Sequence, residues 1–180
     1  RPLGDVSPGP VPRLDDARRR ECAQARTHAG PADPDAHGQV DPLSITGVGD
    51  VGGAAVISAY WKADRLANPN TLTLTAGDAY GAAPPLSSFF EERPAVMAMN
   101  LMGFDVDTFG NHNFDRGIGH LQEMIDLAEF QYVSANLKNR DDNLTGVKDW
   151  EMFDVGGVKV AVVGLTNPEA PTLVFPGSFG

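Results

Sequence analysis

Residues 72–117 read LTLTAGDAYGAAPPLSSFFEERPAVMAMNLMGFDVDTFGNHNFDRG, and this stretch sets the fold. Residues 71–76 (TLTLTA) are short, apolar and rich in β-branched side chains. They stop at Gly77, and a carboxylate, Asp78, follows. Residues 106–109 repeat that arrangement and stop at Gly110, followed by Asn111, His112 and then Asp115. Between them, residues 86–103 carry Val96, Met99, Leu101 and Met102 at roughly helical spacing. Strand, helix and strand over so short a span predict a βαβ unit, whose two strands run parallel. Both strands then end at the same sheet edge, where open α/β sheets bind ligands. Asp78 and the cluster from Asn111 to Asp115 converge there.

Outward from this unit the pattern continues as α/β. Residues 118–129 place Leu121, Met124, Ile125 and Ala128 on one helical stripe, which reads as core. A strand is expected over 132–135, and a polar surface loop over 138–149. Residues 150–155 and 158–164 are apolar runs separated by Gly156-Gly157, the signature of a tight hairpin, which would make the sheet mixed. On the N-terminal side, residues 50–67 predict a helix bearing Ala54, Ile57 and Trp61, stopped by Asn68-Pro69-Asn70. Residues 1–41 are rich in Pro, Arg, Asp and Ala, and are expected to be a poorly ordered leader.

Composition narrows the function. A net charge of −10 over 180 residues argues against a nucleic-acid partner, because phosphate backbones are held by clustered Lys and Arg. The same charge is compatible with a cation site, although a solvated acidic surface is the simpler explanation. A single cysteine, Cys22, excludes an intrachain disulfide framework. No apolar run reaches transmembrane length, and residues 1–38 lack the apolar stretch of a signal peptide. The chain opens on Arg1 and closes on PGSFG (176–180), so a fragment of something longer is expected.

The residue types at the sheet edge suggest a division of labour. Asp78 could cap the following helix or bind a metal, and its position alone favours neither. Asn111, His112 and Asp115 offer an amide, an imidazole and a carboxylate within one turn, where the alternative is a hydrogen-bonded capping loop. Oxygen and nitrogen donors without thiolate suit Mn, Zn, Fe or Mg. A carboxylate shared by two metals holds them about 3.5–4 Å apart, the spacing that clamps a phosphoryl group. His112 would then be free to stabilise the transferring oxygens or protonate the leaving group, with Asp115 fixing its tautomer.

AGDAYGA (76–82), then FDVDTFGNHNFDRG (104–117) and VSANL (133–137), resemble the calcineurin-like metallophosphatase superfamily, and within it the 5′-nucleotidase family. The segment GGVKVAVVGLTNPEAPTLV (156–174) is similar to the next stretch of those enzymes. The resemblance implies the N-terminal portion of a four-layer α/β/β/α sandwich. Residues 42–180 would then be a partial metallophosphatase domain holding two divalent metal ions. It further implies that Asp78 bridges both ions, that Asn111 binds the second, and that His112 and Asp115 form the catalytic dyad. Asp35 and His37 match the family's D-x-H block, which binds the first metal. The implied substrate is a nucleoside monophosphate or related phosphate ester, and the implied location is periplasmic or extracellular.

Three departures stand beside the resemblance. Asn113 replaces the usual Glu of GNHEFD. Pro31 and Pro34 precede the D-x-H block, where the family has an apolar strand that prolines cannot form. The family's later histidine loops, a lone His and a GH-x-H, have no counterpart among His28, His37, His112 and His120. Rival readings are a 2′,3′-cyclic phosphodiesterase, a thiosulfohydrolase relative, and a non-catalytic surface or binding protein on a degraded version of the fold.

Overall fold

A computed structural model of the protein describes residues 37–180. Asp35 and nearly all of the expected leader lie outside the described residues. An exposed hairpin opens the described chain, with β1 (Leu43–Ile45) antiparallel to β2 (Gly49–Val51). Helix α1 (Ala54–Ala67) follows, so the helix expected from residue 50 starts four positions later, after Asp50 and Val51 have paired as strand. None of its residues is buried. It is tied down by Trp61, whose ring meets that of Phe104 edge-on at 5.2 Å, and by Arg65. The Arg65 guanidinium donates to Thr73 Oγ1 at 2.7 Å and to the Met102 carbonyl at 2.6 Å.

The expected 86–103 helix is two helices, α2 (Pro85–Ser88) and α3 (Arg93–Met102). Pro94 is the reason: inside a continuous helix it would offer no N–H to the carbonyl of Phe90 and would clash with it. It sits instead in the first turn of α3, where its missing N–H costs nothing. Glu91 and Glu92 make the turn between the helices with φ of 55° and 63°.

Strand β3 (Val106–Asp107) lies parallel to β4 (Gln131–Val133), and β4 lies parallel to β5 (Val147–Lys148). On the other side of β3, the TLTLTA segment reaches strand pairing only at Leu74, bridged in parallel to Val106. Its backbone still donates from Thr75 to the Val106 carbonyl and accepts at Thr73 from Asp105 N–H. The ladder is broken because the Asp105 carboxylate, rather than a backbone carbonyl, takes the Thr73 N–H at 2.7 Å. The parallel arrangement expected of the central unit is therefore present, with shorter strands.

Helix α4 (Gly117–Leu127) buries Leu121, Met124 and Ile125 against this sheet. Each such side chain contributes about 1.5–3 kcal/mol on leaving water. Val96 and Met99 of α3 join them, as do Phe109 and Tyr132, whose rings stack at 5.1 Å with 9° between planes. The expected 138–149 loop instead contains a short helix, α5 (Arg140–Asn143), and strand β5, and it buries Leu144 and Val147. A two-residue strand is too short to show alternation, so a polar composition hid it.

The hairpin forms as expected from β6 (Trp150–Val155) and β7 (Val158–Val163), turning at Gly156-Gly157. Its six paired rungs make a separate two-stranded sheet. That sheet joins the parallel one through backbone bonds such as Ala135 N–H to the Gly164 carbonyl at 2.9 Å. Among the described residues no helix is long and apolar enough to cross a membrane.

Candidate active site

Two strand-end loops meet at the carboxyl edge of the parallel sheet. One is Gly77-Asp78, following the Leu74 bridge. The other is Gly110-Asn111, running into a single 3-10 turn at His112–Phe114. They touch backbone to backbone. A Cβ on Gly77 would lie 2.4 Å from Gly110 N, and one on Gly110 would lie 2.2 Å from the Asp78 carboxyl carbon. Glycine at both positions lets a carboxylate from one loop nest against the peptide of the other.

Asp78 adopts a left-handed backbone, φ 51°, a conformation that Asp tolerates better than most residues. Its Oδ1 accepts from His112 N–H at 2.8 Å. No side-chain hydrogen bond from Asn111 caps the 3-10 turn. The His112 Nδ1 faces Asp115 Oδ2 at 2.8 Å, with about a third of each side chain exposed. Because a carboxylate accepts, that contact keeps the ring proton on Nδ1 and leaves Nε2 as the nitrogen not committed to Asp115. Both residues line a cavity of about 280 Å³, together with Tyr80, Glu92, Arg116 and His120.

His37 is brought to the same place. Its N–H donates to the Asp78 carbonyl at 3.0 Å, and the N–H of Gly38 donates to the Ala79 carbonyl at 2.9 Å. The His37 Nδ1 lies 3.1 Å from the Gly81 carbonyl oxygen, and its ring meets that of His112 edge-on at 4.9 Å. The structure thus gathers Asp78, Asn111, His112, Asp115 and His37 at one edge, while Asp35 lies outside the described residues. His120 stands apart from the dyad, with its Nε2 2.8 Å from the Glu91 carbonyl oxygen.

Beneath the site lies a buried polar layer to which the sequence analysis assigned no role. Asp107 is fully buried, and its Oδ1 accepts from Gly77 N–H at 3.1 Å and Thr108 N–H at 2.7 Å. Burial pushes its carboxyl up to about 8, against the pull of those two N–H groups. Burial likewise raises the hydroxyls of Tyr80 and Tyr132. A carboxylate inside an apolar strand, FDVDTF, was the available signal for Asp107.

The donors fit a divalent cation in their chemistry. Asp78 and Asn111 offer oxygen and His37 offers nitrogen, with no thiolate among them. The missing Cβ of Gly110 forms the cradle for the carboxylate. Among the described residues no three His, Cys, Asp or Glu side chains gather as a metal-binding group.

Known proteins of similar sequence and structure identify the family. Snake venom 5′-nucleotidase of Gloydius brevicauda is 33% identical over 155 residues, which cover 81% of this chain and 26% of that protein. Endonuclease YhcR of Bacillus subtilis is 32% identical over 161 residues, 79% of this chain and 13% of that protein. The crystal structure of a 5′-nucleotidase precursor from Thermus thermophilus superposes with a TM-score of 0.64 at 31% identity. The match covers 76% of this chain and 28% of that one. The chain belongs to the 5′-nucleotidase family of metallophosphatases. It corresponds to the N-terminal part of the family's domain, and the family's enzymes are phosphoester hydrolases. The chain therefore spans less than a third of the length of these relatives. No family model matches it.

Proposed function

We propose that this chain supplies the dyad and part of the metal-binding edge of a two-metal phosphohydrolase acting on nucleoside monophosphates or related phosphate esters. The observation that carries the reading is the Asp78 carboxylate accepting from His112 N–H while the His112 ring pairs with Asp115. In this reading Asp78, Asn111, His37 and Asp35 hold two divalent ions. When bound, such ions polarise the phosphoryl oxygens and lower the pKa of an attacking water.

The chain's own residues do the rest. Asp115 holds the Nδ1 proton of His112 and fixes the tautomer. The Nε2 atom then faces the ester, where it stabilises developing charge or gives a proton to the leaving oxygen. Arg116, on the wall of the same cavity, supplies a positive charge for an anionic substrate. The periplasmic or extracellular location implied by the resemblance belongs to the same reading.

The experiment is manganese-dependent release of phosphate from AMP by the full-length gene product. The expected result is turnover that stops on chelation and falls about 10²–10⁴-fold in His112→Ala, the usual range for losing a positioned acid–base group. Absence of turnover on AMP, 2′,3′-cyclic AMP and thiosulfonate substrates alike would favour the second reading, a binding protein on this fold. The incomplete gathering of titratable donors among the described residues is what favours that alternative.

A further inference from the structure

We propose that Asn113, the residue standing where the family has Glu, is the positioning residue that holds the two halves of the metal edge in register. This rests on the metal-binding reading above. Asn113 is 1% exposed, and its Oδ1 accepts two backbone hydrogen bonds from different loops, from Asp78 N–H at 3.1 Å and from Gly110 N–H at 2.8 Å. One oxygen therefore fastens the residue that carries the metal-facing carboxylate to the residue preceding the amide donor, Asn111.

The bond from His112 N–H to Asp78 Oδ1 closes the circuit one residue away, so backbone and side chain of Asp78 are both tethered to the 111–113 segment. The tether matters because Asp78 sits at φ 51°, a conformation that L-residues leave when nothing holds them. Asn113 touches no reacting atom here and acts through Asp78 and Gly110. An outer partner of this kind is worth about 10–100-fold in metal affinity when removed.

The experiment uses metal-stripped full-length protein with Asn113→Leu, which keeps the volume and removes the acceptor, and Asn113→Asp, which keeps the oxygen. Mn²⁺ affinity is measured by calorimetry, and the amide proton shifts of Asp78 and Gly110 are measured by NMR without metal. Leu121→Ala, a core change in α4, serves as a destabilised control.

Asn113→Leu is expected to lose about 10–100-fold in Mn²⁺ affinity, with both amide protons moved upfield. Asn113→Asp is expected to bind at or above the wild-type level with both amides at or downfield of their wild-type shifts. Leu121→Ala is expected to lose thermal stability with Mn²⁺ affinity unchanged. If Asn113→Leu does not fold, Asn113→Asp decides alone: the expected shifts and affinity support the inference, and upfield amides or a loss of Mn²⁺ affinity overturn it. Wild-type affinity in Asn113→Leu overturns the inference alone. A wild-type protein that binds no Mn²⁺ overturns the metal reading and the inference with it.

Discussion

Asp107 and Gly110 show how far single residues at the sheet edge are fixed by neighbours distant in sequence. Asp107 keeps its proton in the folded protein up to about pH 8 but would lose it near its ordinary value of 3.8 when unfolded. Between those values the native state binds the extra proton, so this group's contribution to stability declines as pH rises and is gone above about 8. Asp107→Asn keeps the Oδ1 acceptor for Gly77 and Thr108 and removes the titration. In metal-free protein its stability relative to wild type should therefore improve with pH across that window. The slope should be at most about 1.4 kcal/mol per pH unit, read by urea unfolding at pH 5, 6.5 and 8. A difference independent of pH would mean that Asp107 is ionised in the fold. Gly110→Ala tests close approach instead. Its Cβ would stand 2.2 Å from the Asp78 carboxyl carbon, so that carboxylate must leave its place against the Gly110 loop or the loops must part. A loss of about 1–3 kcal/mol in the same unfolding measurement is expected, as for other overpacked sites. The meeting of Asp78 with the 111–115 segment was legible in the sequence because each follows a short apolar run that stops at a glycine. The roles of Asn113 and Asp107 were not, because a buried polar group is explained by partners that local sequence does not show, here 30 and 35 positions apart.

At the scale of elements, helix ends govern what the chain can do between strands. Helix α3 stops at Gly103, whose φ of 74° lets the backbone turn back and donate to the carbonyls of Met99 and Asn100. A Cβ there would find Arg65 Nη2 at 3.4 Å, an ordinary contact, so the cost of Gly103→Ala is torsional. Thermal unfolding should show a loss of about 1–2 kcal/mol, with metal binding unaffected because β3 keeps its pairing on both sides. A loss near zero would show that α3 can end otherwise. The stripe of Leu121, Met124 and Ile125 was legible because burial on one face imposes a period that sequence carries openly. The break at Glu91 and Glu92 was written only in Pro94, a residue whose effect falls on the turn before it. Strand β5 was not legible, since its pairing with β4 is decided by the neighbouring strand rather than by its own two residues.

For the molecule as a whole, charge is the property that distinguishes a mononucleotide substrate from a polymer. The 180 residues carry 24 Asp and Glu against 14 Lys and Arg. Of the positive charge in the sequence, the Arg18-Arg19-Arg20 triplet lies outside the described residues. An acidic surface repels phosphate anions at long range, whereas proteins that hold nucleic acid gain affinity from released counterions and lose it steeply as salt rises. Substrate binding at this edge should therefore show the opposite sign. Screening of the repulsion, over a Debye length of about 10 Å at 0.1 M, should lower KM for a nucleoside monophosphate a few-fold between roughly 10 and 200 mM salt, with kcat little changed. Steady-state kinetics of the full-length protein with AMP and with single-stranded oligonucleotides across that salt range decide the matter. A KM that climbs with salt for the oligonucleotide, together with turnover faster than on AMP, would place the activity with the endonuclease relative rather than the nucleotidases.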